Sequence, residues 1–210
     1  MNKKELVKIT KYLNDKDINR GSSGNLSYRT SNGFVITPSS VPNNKLNEES
    51  CVEMSFTGTY KNKLKPSTEW QIHRDIYLKR KDISAIIHTH PTSSTAIACM
   101  NIDIPSFHYM VAIAGGENIQ CAKYATFGTV ELSKNVIKAL ENRNACLMAN
   151  HGLIVGSTNL NMAAKLTEEI ESLSKQYLLI LKSGKKPVLL SKKEMKKNIK
   201  KIKNYSYGKI

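Results

Sequence analysis

The sequence predicts an α/β fold, one domain in which a mixed sheet is covered by helices on both faces. Three observations carry that reading. Short apolar runs with the character of strands recur along the chain, separated by stretches with the 3.6-residue period of amphipathic helices. The chain has 210 residues, 40% of them hydrophobic, which is enough for one well-buried core and short for two. No internal repeat, low-complexity tract or evident linker divides it, so residues 1–210 are expected to form a single domain. It is expected to end in a Lys-rich helix and a flexible tail over about 192–210.

Leu6, Ile9 and Leu13 recur at helical spacing and define an opening helix over 3–14. The polar segment Gly21-Ser22-Ser23-Gly24-Asn25 leads into two short strands, Leu26 to Arg29 and Phe34 to Thr37, around the turn Ser31-Asn32-Gly33. Pro38 and Pro42 stiffen the next loop, and Cys51 to Phe56 alternates like a strand. After Lys65-Pro66, residues 67–79 have the capping serine and period of a helix. Ala85 to His90 reads as a strand and Ser93 to Met100 as the short helix behind it. Ile104 to Ala114 has no clear period and ends in Gly115-Gly116. A helix is expected from Val130 to Glu141, and strands over Cys146 to Ala149 and Leu153 to Val155. A long helix from Asn161 to Leu181 and a last one over 192–203 complete the order.

Charge narrows the function classes. The formal net charge is +15, and the only arginines are Arg20, Arg29, Arg74, Arg80 and Arg143, so the excess is mostly lysine. Arginine is the better side chain for bidentate phosphate or guanine recognition. The lysines of the last helix surround Met195, Ile199 and Ile202 without interleaved aromatics, as a solvated face does, so no nucleic-acid partner is expected. A positive field would still favour capture of anionic substrates. No stretch has the apolar length of a membrane span and the N-terminus lacks a secretory apolar region, so a cytoplasmic protein without a membrane partner is expected. Cys51, Cys99, Cys121 and Cys146 form no CxxC pair and read as buried, reduced thiols.

The chemistry centres on Ile86-Ile87-His88-Thr89-His90-Pro91. Side chains at i and i+2 of a strand share a face, so His88 and His90 point the same way. A third histidine, His151, follows the apolar run Ala145 to Ala149. Three imidazoles without thiolates are the ligand set of a catalytic site with an open position, whereas a closed structural zinc site recruits cysteines. Glu69 stands near a helix start, where an acid ordinarily complements the dipole. The same free N–H groups bind anions, so a carboxylate there lies beside any phosphate held by Ser67 and Thr68 and is placed for general-base work. His73, one turn later, and His108 read as structural histidines, and Trp70 as core packing.

Gly24-Asn25-Leu26-Ser27, Ile36-Thr37-Pro38, Ser67-Thr68-Glu69-Trp70, His88-Thr89-His90 and Asn150-His151-Gly152-Leu153, in this order and spacing, resemble the class II aldolase/adducin family. Within it, Phe107-His108-Tyr109-Met110-Val111 through Tyr124-Ala125-Thr126-Phe127-Gly128-Thr129 is similar to the L-fuculose-1-phosphate aldolase branch. The resemblance implies a largely antiparallel central sheet. It also implies zinc, or another divalent transition metal, held by His88, His90 and His151 with Glu69 as a displaceable fourth ligand. Gly24, Asn25, Ser39, Ser40, Ser67 and Thr68 match the phosphate-binding segments. Tyr109 matches the tyrosine that handles the proton on the C4 oxygen, and Phe127 an aromatic supplied across a subunit interface in a homotetramer. Tyr205, or Tyr207, matches a tyrosine of the C-terminal tail.

The implied activity is reversible cleavage of L-fuculose 1-phosphate or a related ketose 1-phosphate to dihydroxyacetone phosphate and L-lactaldehyde or a similar aldehyde. A ribulose-5-phosphate 4-epimerase, a methylthioribulose-1-phosphate dehydratase and a non-catalytic adducin-like module are the alternatives on the same scaffold. One position departs from the family pattern: Ser40 stands where glycine is expected. Glycine permits positive φ, so Ser40 either tolerates that conformation and adds a hydroxyl, or shifts the phosphate.

Overall fold

Seven strands hydrogen-bond into one sheet: β1 (Asn25–Arg29), β2 (Gly33–Ile36), β3 (Val52–Ser55), β4 (Ala85–Thr89), β5 (Cys121–Ala122), β6 (Ala145–Met148) and β7 (Gly152–Ser157). Their spatial order is β3-β2-β1-β4-β7-β6-β5. Every pair is antiparallel except β5 with β6. The computed structural model describes residues 1–204, so Tyr205 and Tyr207 lie outside the described residues. Six helices, α1 (Lys3–Asp15), α2 (Trp70–Lys79), α3 (Thr92–Cys99), α4 (Val130–Ala139), α5 (Leu160–Lys182) and α6 (Lys192–Asn204), accompany the sheet, with short 3₁₀ segments at Asn43–Lys45 and Tyr109–Ala114.

Strand alternation divides the core in two. Ile87 packs with Leu6, Ile97 and Leu160 on the face covered by α1, α3 and α5, and its neighbour Ile86 packs with Ile72, Ile76 and Leu132 on the face covered by α2 and α4. β4 is buried along its whole length, as a central strand must be. Helices α1, α4 and α5 each start where an N-cap side chain satisfies an orphan N–H: Asn2 accepts from Glu5, Thr129 from Leu132 and Asn159 from Met162. Among the described residues no helix is long and apolar enough to cross a membrane.

Three expectations change. α2 begins at Trp70 instead of Ser67, because the Ser67 N–H is donated to the Thr37 carbonyl at 3.1 Å and Pro66 bridges Pro38. That pairing holds the chain out of the helix through Ser67, and Thr68 and Glu69 then form the turn that leads into α2. Cys99 is exposed at the outward end of α3 and Cys121 half-buried on the edge strand, whereas Cys51 and Cys146 are buried; all four are free thiols. The two-residue β5 carries too little pattern to be visible in the sequence.

Candidate metal centre

The ends of β4 and β7 deliver the histidines. His88 is the fourth residue of β4, directly opposite Asn25 of β1 and Ile154 of β7, on the sheet face covered by α2. His90 lies two residues on, just past the strand, with its ring centroid 4.7 Å from that of His88. β6 and β7 form a hairpin whose loop is Ala149-Asn150-His151, closed by the His151 N–H to the Met148 carbonyl. Asn150 takes a φ of 52°, the left-handed region that asparagine tolerates, and so turns the chain to place His151 4.9 Å from His88 and 5.1 Å from His90, centroid to centroid. Gly152 completes the corner by close approach: a Cβ there would sit 2.6 Å from His90 Cδ2 and from the Thr89 carbonyl oxygen.

Glu69 closes the cluster from the opposite layer. It occupies the N-cap of α2 but caps nothing; its carboxylate turns away from the helix N–H groups towards the imidazoles. Oε2 lies 3.0 Å from His88 Nε2 and accepts from Asn25 Nδ2 at 3.2 Å. Oε1 lies 3.3 Å from His151 Nε2 with no hydrogen-bond partner in proper geometry among the described residues. One ligand atom from each of Glu69, His88, His90 and His151 lies within 4.8 Å of the others.

The donor set fits a divalent cation. His88 Nδ1 donates to the Leu153 carbonyl at 3.0 Å, which orients the ring and points Nε2 at the cluster, where it can bear a proton or bind a cation. Its neighbour His90 Nε2 is only 2.9 Å away. Two neutral imidazole lone pairs so close repel unless a proton or a cation lies between them. Burial pushes His90 down to about 3 and His151 to about 4, and positive charge on His88 adds to both. Burial opposes ionisation of Glu69, but the charges of His88 and His151 and the hydrogen bonds from His88 and Asn25 outweigh it and hold the carboxyl well below the usual range. For His88 burial works against the proton, and the charge and hydrogen bond of Glu69 prevail to raise it. A buried carboxylate without positive charge nearby would cost several kcal/mol.

The profile of the class II aldolase and adducin N-terminal domain matches residues 4–178. The chain belongs to the class II aldolase/adducin family. It is 42% identical over 188 residues to the L-fuculose phosphate aldolase of Escherichia coli K12, covering 90% of this chain and 87% of that protein. It is 41% identical over 200 residues to a 5-methylthioribulose-1-phosphate/5-deoxyribulose-1-phosphate aldolase of Rhodospirillum rubrum, covering 95% of this chain and 90% of that one. A solved L-fuculose 1-phosphate aldolase superposes with a TM-score of 0.92 at 40% identity, over 96% of this chain and 95% of its own. The aldolase-family fold, a mostly antiparallel seven-stranded sheet with helices on both faces, is thus shared, and class II aldolases depend on a metal that this Glu/His cluster could hold.

The remaining motif residues fall into two groups. Ser39 donates its N–H to the Lys65 carbonyl and Ser67 to that of Thr37, so the 37–40 and 65–67 segments run side by side. Thr37 in turn pairs with Leu26, next to Gly24 and Asn25. A Cβ on Gly24 would sit 2.8 Å from the His88 carbonyl oxygen, which brings that loop against β4. Tyr109 and Phe127 are instead 52% and 64% exposed, and among the described residues no hydrogen bond ties either to the cluster. His108 acts as a helix cap through Nδ1, accepting from the Met110 N–H.

Ser40 has a φ of 62°, so it tolerates the conformation for which the family pattern supplies glycine. A left-handed L-residue costs about 1–2 kcal/mol, part of which glycine's greater freedom in the unfolded chain offsets. Ser40→Gly is therefore expected to stabilise the fold by up to about 1 kcal/mol, read as a higher urea midpoint; a lower one would contradict the strain.

One supporting feature had no signal in the sequence, and a second was visible there without its partners. Glu171 of α5 accepts from the Ser93 and Ser94 N–H groups at 2.7 and 2.8 Å, capping α3 immediately after His90-Pro91. His73, read as structural, is fully buried, and its two ring nitrogens contact Ser27 and Asn25.

Proposed function

We propose that the chain reversibly cleaves L-fuculose 1-phosphate or a related deoxyketose 1-phosphate to dihydroxyacetone phosphate and a short aldehyde such as L-lactaldehyde. The observation that carries this reading is the Glu69 carboxylate, buried, uncapped and turned from the start of α2 towards three imidazoles. It stands where metal and phosphate segments meet.

In this reading His88, His90 and His151 would hold zinc, with Glu69 as a displaceable fourth ligand. A cation so held supplies Lewis acidity, stabilising negative charge on the substrate oxygens as the C3–C4 bond breaks. Gly24, Asn25, Ser39, Ser40, Ser67 and Thr68 bind the phosphate, three adjacent segments at one end of the sheet. Glu69 returns a proton to C3 in cleavage and removes it in condensation. Tyr109 assists removal of the proton from the C4 oxygen, its hydroxyl passing one proton on to solvent as it accepts another. The exposure of Tyr109 and Phe127 supports a homotetramer in which a neighbouring protomer completes each site, the aromatic side chains facing the aldehyde. The spacing of Tyr205 from the last helix supports a further contact from the tail, with Tyr207 as the alternative.

The relatives' substrates share the dihydroxyacetone phosphate half and differ in the aldehyde half, which is lactaldehyde from L-fuculose 1-phosphate and methylthioacetaldehyde from methylthioribulose 1-phosphate. The substrate test follows from that division. The enzyme is incubated with dihydroxyacetone phosphate and a panel of aldehydes, and products are identified with their stereochemistry. Condensation with lactaldehyde, acetaldehyde or methylthioacetaldehyde is expected. Water loss from a ketose 1-phosphate, or inversion at C4 without a free aldehyde, would replace the aldolase reading by a dehydratase or an epimerase.

A further inference from the structure

Behind Glu69 runs a line of buried polar side chains. Tyr77 Oη lies 2.7 Å from Ser27 Oγ, and Ser27 Oγ lies 2.7 Å from His73 Nδ1. His73 Nε2 lies 2.6 Å from Asn25 Oδ1, and Asn25 Nδ2 donates to Glu69 Oε2 at 3.2 Å. Tyr77, Ser27 and His73 are fully buried and Asn25 is 4% exposed, so water does not compete for these bonds. The fold aligns them twice over: Asn25 and Ser27 share the α2 face of β1, and Glu69, His73 and Tyr77 follow one another by single turns along α2.

The direction of every bond follows from the carboxylate. Ionised Glu69 only accepts, so Asn25 must face it with the NH₂ group and turn Oδ1 to His73. Nε2 of His73 must then carry the proton, Nδ1 must accept from the Ser27 hydroxyl, and Ser27 must accept from Tyr77. A reversed Asn25 amide would set oxygen against a buried carboxylate. We infer that His73 is a positioning residue for Glu69: backed by Ser27 and Tyr77, it locks the Asn25 amide so that Oε2 is held and Oε1 is left to exchange the substrate proton. This rests on the assignment of Glu69 as the base. His73 and His88 consequently adopt opposite tautomers, since His88 donates through Nδ1 to Leu153.

The first test needs neither substrate nor metal. In metal-free protein labelled with ¹⁵N-histidine, the His73 resonances are expected to show a protonated Nε2 and an unprotonated Nδ1; the reverse tautomer would overturn the relay. The second uses metal-loaded variants and reads hydrogen–deuterium exchange at C3 of saturating dihydroxyacetone phosphate. His73→Gln keeps a donor at the Nε2 position and is expected to stay within about threefold of the parent. His73→Asn, too short to reach Asn25, and His73→Leu, which keeps only volume, are expected to lose about 10- to 100-fold, the cost of a misplaced catalytic group. Equal rates in all three folded variants, or a glutamine variant as slow as leucine, would remove the positioning role. A Glu69→Gln control separates the failures: if it still exchanges, the base assignment falls, and if it alone is silent, only the relay does.

Discussion

Removal of the divalent cation by a chelator is expected to abolish carbon–carbon cleavage, with a loss of at least about a thousandfold, because Lewis-acid stabilisation contributes several kcal/mol to such a transition state. The cluster is built from three imidazoles and one carboxylate, the donor set of a metal route, whereas a Schiff-base route would need an amine. Zinc, added at one equivalent per chain, is expected to restore the rate. The measurement is activity against metal content through depletion and reconstitution. Full activity in a preparation verified to be metal-free would exclude the mechanism and leave the His88–His90–His151 geometry without a catalytic purpose.

Glu69→Gln is expected to keep the metal and lose most proton exchange at C3, by about 10²- to 10⁴-fold, the range a positioned general base contributes. The substitution is nearly isosteric, so the three histidines keep their places, and Asn25 Nδ2 still finds an amide oxygen to bond. What disappears is the proton acceptor. Metal content by elemental analysis and isotope exchange into dihydroxyacetone phosphate separate the two roles proposed for this side chain. Unchanged exchange would transfer the base role elsewhere; loss of metal together with exchange would make Glu69 chiefly a ligand.

Much of the site was legible because its signals are local. The His88–His90 spacing needs only the two-residue period of a strand, and the rings do lie 4.7 Å apart. Ser40 stood out as a non-glycine at a position demanding positive φ, and it adopts that φ. The helices of the chain were visible through periodicity, with ends displaced by a few residues. The start of α2 was misplaced because pairing of Ser67 with Thr37, thirty positions away in sequence, keeps Ser67 out of the helix. Glu171 gave no signal, and His73, read as structural one turn after Glu69, gave none of its partners, for a related reason: each acts on a residue of another element, and neither the α5 cap on α3 nor the line from α2 to β1 has a fixed sequence spacing.

By itself, then, the sequence determined the family and the alternation of strands and helices, and it singled out the histidines and the carboxylate that the structure brings into one cluster. The tertiary structure decided how they meet. The antiparallel register of β1, β4 and β7 sets Asn25 across from His88, and the packing of α2 on that face brings Glu69 to both. Periodicity is written in neighbouring residues, whereas register and layer packing depend on how whole elements share one core.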